Sequence, residues 1–462
     1  MNVTLNCFRA RSTIQSTLTL LFLAMSFQLA TETSSFAMGK RRAASGPGDA
    51  CDPTNYEEPT PNASAAPLNI SLNPDSLRKL VINDNLSILI AANRVHIAKD
   101  QVGIARGRLF PSLNLGTLLL TAGNPTFAVA NIEFLVPFLV PSRWFDFFEA
   151  KYLRQAEKLS FRLMQLNTYA SALSLYFTLM SDRDLKASLH NETETLRQIE
   201  QTVESQMIVG AAPEVDFKRA RAQRALAEIT ESKVNDLLFD EVATLRHTLV
   251  ESPETQFTFE PANIAPSTAE SLSVAEAVPQ AIEKSLELDQ MYWLEKSSRV
   301  ERWKKVFGFM SSSSLATSQA NPTSMAFNNL HMSAGFSLGF DYFPSISLTN
   351  HNIYEQQLRQ KEVKAELSET IESALNQLHE AEFRIVLANS AFNDSVEVFK
   401  AKWAGYQLGT ESIFSVLETR SLQRQSEVEL LRAKNQLNLL RVILHRVMVT
   451  DQFEKIEGCT AF

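Results

Sequence analysis

The sequence predicts a mainly α protein with a small β part, in which long antiparallel coiled-coil hairpins are duplicated within the chain and joined to short strands. Three observations carry this. Two long stretches hold no proline: Ser142 to Ala212, and everything after Pro344 through Phe462. Both contain apolar residues at alternating spacings of three and four. Both run up to a glycine-bearing turn, and the two glycines, Gly210 and Gly409, are 199 residues apart. A pattern repeated at a fixed interval marks an internal repeat.

The helices come first. Leu367, Ile371, Ala374, Leu378, Ala381, Ile385, Ala388 and Phe392 form an a/d seam, and Phe399 falls on the same frame. The alanines at 374, 381 and 388 leave one edge of the seam small enough for a partner helix to approach closely. Leu430, Ala433, Leu437, Leu440, Leu444 and Val447 repeat the pattern on a returning segment. In the first half Leu185, Leu189, Leu196, Ile199 and Val203 fit the frame, with Glu192 as the polar member.

The turns come next. Val209-Gly210-Ala211-Ala212 is followed by Val215, Phe217 and Arg221; Leu408-Gly409-Thr410-Glu411 is followed by Phe414, Val416 and Arg420. A helix end commonly needs a left-handed residue, which glycine adopts without strain. Pro213 and Ser412 then suit the opening of the next helix. Upstream, Asn85-Leu86-Ser87-Ile88 matches Ser285-Leu286-Glu287-Leu288 at an offset of 200, and Leu115 matches Leu315. Ser142 to Ile208 is 67 residues, or about 100 Å of helix. Glu214 to Val250 gives 37 residues and Asp75 to Arg108 gives 34, so these two, stacked end to end, match the long helix.

The expected strands are Leu109 to Leu120, Thr126 to Val140, Phe307 to Ala316, and the segment where Ala334, Phe336, Leu338 and Phe340 alternate with small residues. Period-two alternation suits a strand with one face to lipid and one to a lumen. Four strands cannot close a barrel, and open sheet edges are not viable in lipid. Membrane strands here therefore imply a barrel shared between chains. The alternative is a strand pair in a soluble sandwich.

At the N-terminus, Arg9 and Arg11 precede an apolar run from Leu18 to Ala30, and Ser35-Phe36-Ala37 offers small residues for cleavage before Met38. This reads as a secretory leader. The expected divisions are the leader at 1–37, a Pro-rich extension at 38–74, a first repeat at 75–250, a linker at 251–279, a second repeat at 280–450 and a tail at 451–462. The net charge of −8 becomes −9 without the leader, which holds two arginines and one glutamate. That balance does not suggest nucleic acid as a partner. Cys51 and Cys459 remain near the two mature termini; a disulfide between them, lipidation of Cys51, and two free thiols are the alternatives. The seven histidines show no metal-ligand spacing, and none of the 14 glycines forms a phosphate-binding loop. No catalytic, cofactor-binding or metal site is expected, and the chain does not read as an enzyme.

With the duplicated layout, the two glycine turns, and Ala105-Arg106-Gly107-Arg108-Leu109-Phe110-Pro111-Ser112-Leu113-Asn114-Leu115 at the helix-to-strand passage, the chain resembles the TolC-like outer-membrane efflux protein family over about residues 75–450. The resemblance implies a homotrimer in which four strands per chain form a 12-stranded β-barrel in outer-membrane lipid, continued by a periplasmic coiled-coil barrel. It implies an exit duct for small molecules or proteins in tripartite efflux or type I secretion, with a periplasmic adaptor (membrane fusion protein) and an inner-membrane transporter as partners. By the same resemblance the adaptor contacts map to Val209, Gly210, Ala211, Leu408, Gly409 and Thr410. The periplasmic gate maps to Tyr406, Asp216 and Glu418, with a Tyr406–Asp216 hydrogen bond between neighbouring hairpin tips. The family's basic residue two places after the second glycine is Glu411 here, and its next acid is Ser415; the second half has Ser311 where the first has Pro111. The rival reading is a periplasmic coiled-coil adaptor, a class that carries one hairpin within β-rich domains rather than two with paired strands.

Overall fold

The structure, a computed structural model, describes residues 69–110, 131–135, 140–318, 329–336, 338–450 and 452–457. In chain order these form β1 (Asn69–Leu72), α1 (Pro74–Asp84), α2 (Leu86–Gly107), β2 (Asn131–Leu135), α3 (Pro141–Ile208) and α4 (Glu214–Leu249). β3 (Gln256–Phe259) and a 3-10 turn at Thr268–Ser271 follow, then α5 (Val274–Lys284), α6 (Leu286–Val306), β4 (Met310–Ser318) and β5 (Asn329–Phe336). The chain closes with α7 (Tyr342–Gln407), α8 (Ile413–Met448) and α9 (Gln452–Glu457). The leader, the extension up to residue 68, Cys51, Cys459, Pro111 and most of the first expected strand lie outside the described residues.

The long helices are α3, of 68 residues, and α7, of 66; the returning helices α4 and α8 have 36 each. Burial follows the heptads. Leu367, Ile371, Ala374, Leu378 and Ala381 of α7 meet Leu430, Ala433, Leu440, Leu444 and Val447 of α8 at the buried positions of the second hairpin. Leu189, Leu196, Ile199 and Val203 of α3 are buried in the first.

Along α3, α4 covers the part nearest the turn and α2 the part beyond it. The segment Asp75–Arg108, expected as one helix, is two. Asn85 breaks it with an extended backbone (ψ 123°) and its side chain accepts from the amides of Ser87 and Ile88 at 3.0 and 3.3 Å. Its Nδ2 donates to the Thr248 carbonyl at 2.8 Å, which ties the break to the end of α4. Ser285 breaks α5 from α6 in the same way and accepts from the Leu288 amide at 3.3 Å. The tetrapeptides that match at an offset of 200 are thus helix breaks: an Asn or Ser that caps the next helix competes with continuing the previous one. α4 and α8 both end on a left-handed valine, Val250 (φ 57°) and Val449 (φ 50°), a strained conformation for a β-branched residue.

β1 pairs in parallel with β3, Leu72 opposite Phe259. β2, β4 and β5 form an antiparallel sheet in the order β2-β4-β5, with Phe134 opposite Leu315 and Leu315 opposite Met332. The expected strand at Phe307 begins later, at Met310, because the Phe307 amide still donates to the Trp303 carbonyl at 2.9 Å and completes α6. The alternation read from Ser333 to Phe340 overshoots: the strand runs from Asn329 to Phe336. Where strands pass into helices, Phe145 stacks on Phe307 at 5.6 Å and Lys304 reaches Asp146 and Glu149 at 2.8 and 3.1 Å. These contacts hold the start of α3 against the end of α6, so β2 and β4 leave the helices side by side. Among the described residues no helix is long and apolar enough to cross a membrane.

The largest apolar cluster joins α1, α2 and α3 with Leu238, Leu245 and Leu249 of α4, Val442 of α8, and Phe453 and Ile456 of α9. Burying a side chain such as Leu77 or Ile88 contributes about 1.5–3 kcal/mol. A second, separate cluster lies near the turns, where Leu196, Ile199, Val203 and Ala220 of the first hairpin meet Tyr406, Ile413, Val416 and Leu417 of the second.

Gly210 and Gly409 have φ of 74° and 73°, with open space where a Cβ would stand. Gly210→Ala and Gly409→Ala are each expected to destabilise by about 1–2 kcal/mol through backbone strain alone. Denaturant titration checks this, and an unchanged midpoint would show that the turns relax freely.

Candidate functional site at the hairpin tips

Both tips close by the same backbone device. The Ala211 amide reaches the Gln206 carbonyl at 2.7 Å and the Gly210 amide reaches Met207 at 3.0 Å. The second tip repeats this with Thr410 to Gly405 at 2.9 Å and Gly409 to Tyr406 at 3.0 Å. This paired arrangement satisfies the last helical carbonyls. It also leaves apolar side chains in solvent: Val209 is 76% and Leu408 80% exposed, with Ile208, Val215 and Phe414 beside them. All six residues expected to contact an adaptor are exposed at the tips. Ile208, Val215 and Phe414 extend that surface and were legible only as apolar residues off the a/d frame.

The expected gate residues are not all alike in setting. Glu418 is exposed. Asp216 sits in the first turn of α4, where a helix N-terminus favours a negative charge, and lies 4.0 Å from Arg219. Tyr406 is only 7% exposed, stacked on Trp403 at 5.8 Å within the tip cluster. The expected hydrogen bond to Asp216 is not made within the chain: the Tyr406 hydroxyl is buried without a partner. Burial, and then the Asp216 charge, raise its pKa. Its ring packs between the hairpins in the tip cluster.

A base does reach the second tip, from another position. Lys402 of α7 pairs with Glu411 at 2.8 Å, and this hydrogen bond holds the Glu411 carboxyl below its usual range. Lys402 is nine residues before Glu411, too far for a helical spacing rule, so only the turn brings them together. Between the tips, Arg219 of α4 lies over the Phe414 ring of α8 at 5.4 Å.

Away from the tips, the hairpins meet across a polar band on α3 and α8. Glu192 is 3% exposed and its Oε1 pairs with Nε of Arg424 at 3.2 Å. Burial raises its pKa against the pull of Arg424 and Arg420. Arg420 is itself buried, over the Phe399 ring at 5.3 Å, and donates to Gln423 at 2.7 Å. One level up, Asp182 of α3 hydrogen-bonds Glu241 of α4. Two ionised carboxylates only accept, so this contact requires a shared proton. Burial first, then the charge and hydrogen bond of Asp182, push Glu241 up to about 7. Arg432 of α8 is the cation that faces Asp182. Glu192 was visible in the sequence as the polar member of the seam; Glu241 was not, since nothing in one helix announces an acid on its neighbour. Among the described residues no cluster of three or more His, Cys, Asp or Glu could hold a metal.

The fold is that of outer-membrane channels, the TolC-like arrangement that the sequence resembled. The chain superposes on the Campylobacter jejuni CmeC outer membrane channel with a TM-score of 0.69, at 13% identity over 92% of this chain and 97% of that chain. CusC, a protein studied for its folding and transmembrane channel formation, gives 0.67 at 13% identity over 89% and 99%. The open state of the Neisseria gonorrhoeae MtrE outer membrane channel gives 0.62 at 11% identity over 81% and 88%. No family model matches the chain, and no curated protein matches it by sequence.

Removing the unpartnered hydroxyl with Tyr406→Phe is expected to leave stability unchanged or raise it by up to about 1 kcal/mol; a loss of that size on denaturation would show that the hydroxyl finds Asp216. For Glu241 the folded-state value lies above the ordinary 4.5, so the native chain holds the proton more tightly than the unfolded one. That contribution is complete below about pH 4.5 and is lost as the pH rises through about 7. Glu241→Gln keeps the neutral form, so its melting temperature should match the parent near pH 5 and exceed it near pH 8. Equal shifts at both would contradict a shared proton.

Proposed function

We propose that the chain is a non-enzymatic outer-membrane export duct, the exit path of a tripartite efflux or type I secretion system. The observation that carries this reading is the join between an antiparallel sheet, in which the described strands run β2-β4-β5, and two long helical hairpins. Sheet edges are not viable in lipid, so the strands of several copies must close on one another. Three copies with four strands each form a 12-stranded barrel, and the hairpins continue it into the periplasm. The two halves, 75–250 and 280–450, descend from one duplicated unit; the matching helix lengths, breaks and left-handed caps support this.

The tips, with Val209, Gly210, Ala211, Leu408, Gly409 and Thr410, dock a periplasmic adaptor through exposed apolar surface, and an inner-membrane transporter supplies the energy. Tyr406, Asp216 and Glu418 lie at the end where the duct closes. There Lys402–Glu411 takes the part of the basic link, stiffening one tip rather than joining two chains. The cargo is a small molecule or a protein.

Fractionation with single-channel recording tests the reading. The protein should enter the outer membrane and, purified, give a mostly closed pore. A periplasmic protein that conducts nothing would overturn it.

A further inference from the structure

The two apolar clusters that bind the hairpins together do not meet. On α3 the large cluster ends at Leu179 and Met180, and the tip cluster begins at Leu196. In between, the buried side chains of α3 are Ser188, Leu189, Glu192 and Thr193. On α8 the tip cluster ends at Leu417, and the next buried side chains are Arg420 and Ser426. On α7, Ser395 is buried there and meets the Ser426 hydroxyl at 2.8 Å. Three helices thus share a level at which polar side chains largely replace the seam.

This level is also poorly satisfied. Ser188 Oγ, Glu192 Oε2 and Arg420 Nε are buried without a hydrogen-bond partner. They lie inside one chain, so no neighbouring copy reaches them. Leaving a buried polar group unpaired costs about 1–3 kcal/mol, more if charged. A buried pair with imperfect geometry need not offset its own desolvation. Water that enters such a band gains partners instead of displacing an apolar contact. Below the band the tip is a unit, held by its own cluster, by Arg219 over Phe414 and by Lys402–Glu411.

We propose that this polar band, centred on Glu192, Arg420 and Arg424, is a hydrated hinge at which the helices bend and part, so that the tip of both hairpins moves as one body against the packed core. Hinges and weakly packed segments are drawn from the low-stability end of a structure. Water inserted against a helix ladder is a recognised cause of bending. The hinge belongs to the chain itself, whatever passes along it, and holds or fails independently of the export reading.

Hydrogen exchange with mass-spectrometric readout on the full chain in detergent tests it. Protection within 182–195 and 418–429 should be roughly tenfold or more below that of 161–179 on one side and 196–203 on the other. Glu192→Leu combined with Arg424→Leu fills the level with apolar side chains and should raise protection in both segments. If that double variant does not fold, Ser188→Ala, which removes one unpartnered oxygen, should raise it in the same segments. Even protection along α3 in the parent chain would overturn the hinge, as would variants that leave the exchange of the band unchanged.

Discussion

A helix of 68 residues must be covered on one face along its whole length, and every other element of this chain answers to that constraint. An isolated helix gains little from propensity; its stability comes from burying an apolar stripe. α4, with 36 residues, covers only part of α3. α2 covers more, and the joint between them is fixed by Asn85 on the Thr248 carbonyl and by the left-handed turn at Val250. The second hairpin meets the same demand with α6, α8, Ser285 and Val449. The small cluster of Ala269, Ala277, Ala281, Leu367 and Ile371 packs the linker turn and α5 onto α7 at the corresponding joint.

The long helices were legible in the sequence because their signals are redundant. Missing proline, the heptad frame and two glycines in fixed places all point to the same residues, and the observed ends of α3 fall at Pro141 and Ile208. The tip surface was legible for the same reason: a turn that needs a left-handed glycine leaves Val209 and Leu408 with nothing to pack on. The breaks at Asn85 and Ser285 were not, since a capping Asn and an exposed mid-helix Asn look alike until the partner carbonyl is known. Strand ends were blurred at Phe307, where an aromatic of high strand propensity closes a helix instead.

Polar partnerships across helices were the least legible. Lys402 and Glu411 meet only because Gly409 folds the chain back. Tyr406 shows the converse. Its position matched a family pattern of hydrogen bonding, yet its hydroxyl is buried and unpaired while its ring stacks on Trp403. Where one residue changes in such a set, the neighbours' chemistry changes with it, and here the ionic link is local to one tip.

The central claim is that the described sheet is part of a barrel completed by other copies. Native mass spectrometry of the full-length protein extracted from membranes tests it most directly. The account predicts a single assembly of three chains that survives detergent and dissociates on heating. A stable single chain under the same conditions would contradict it, because the sheet would then keep open edges and could not lie in a membrane.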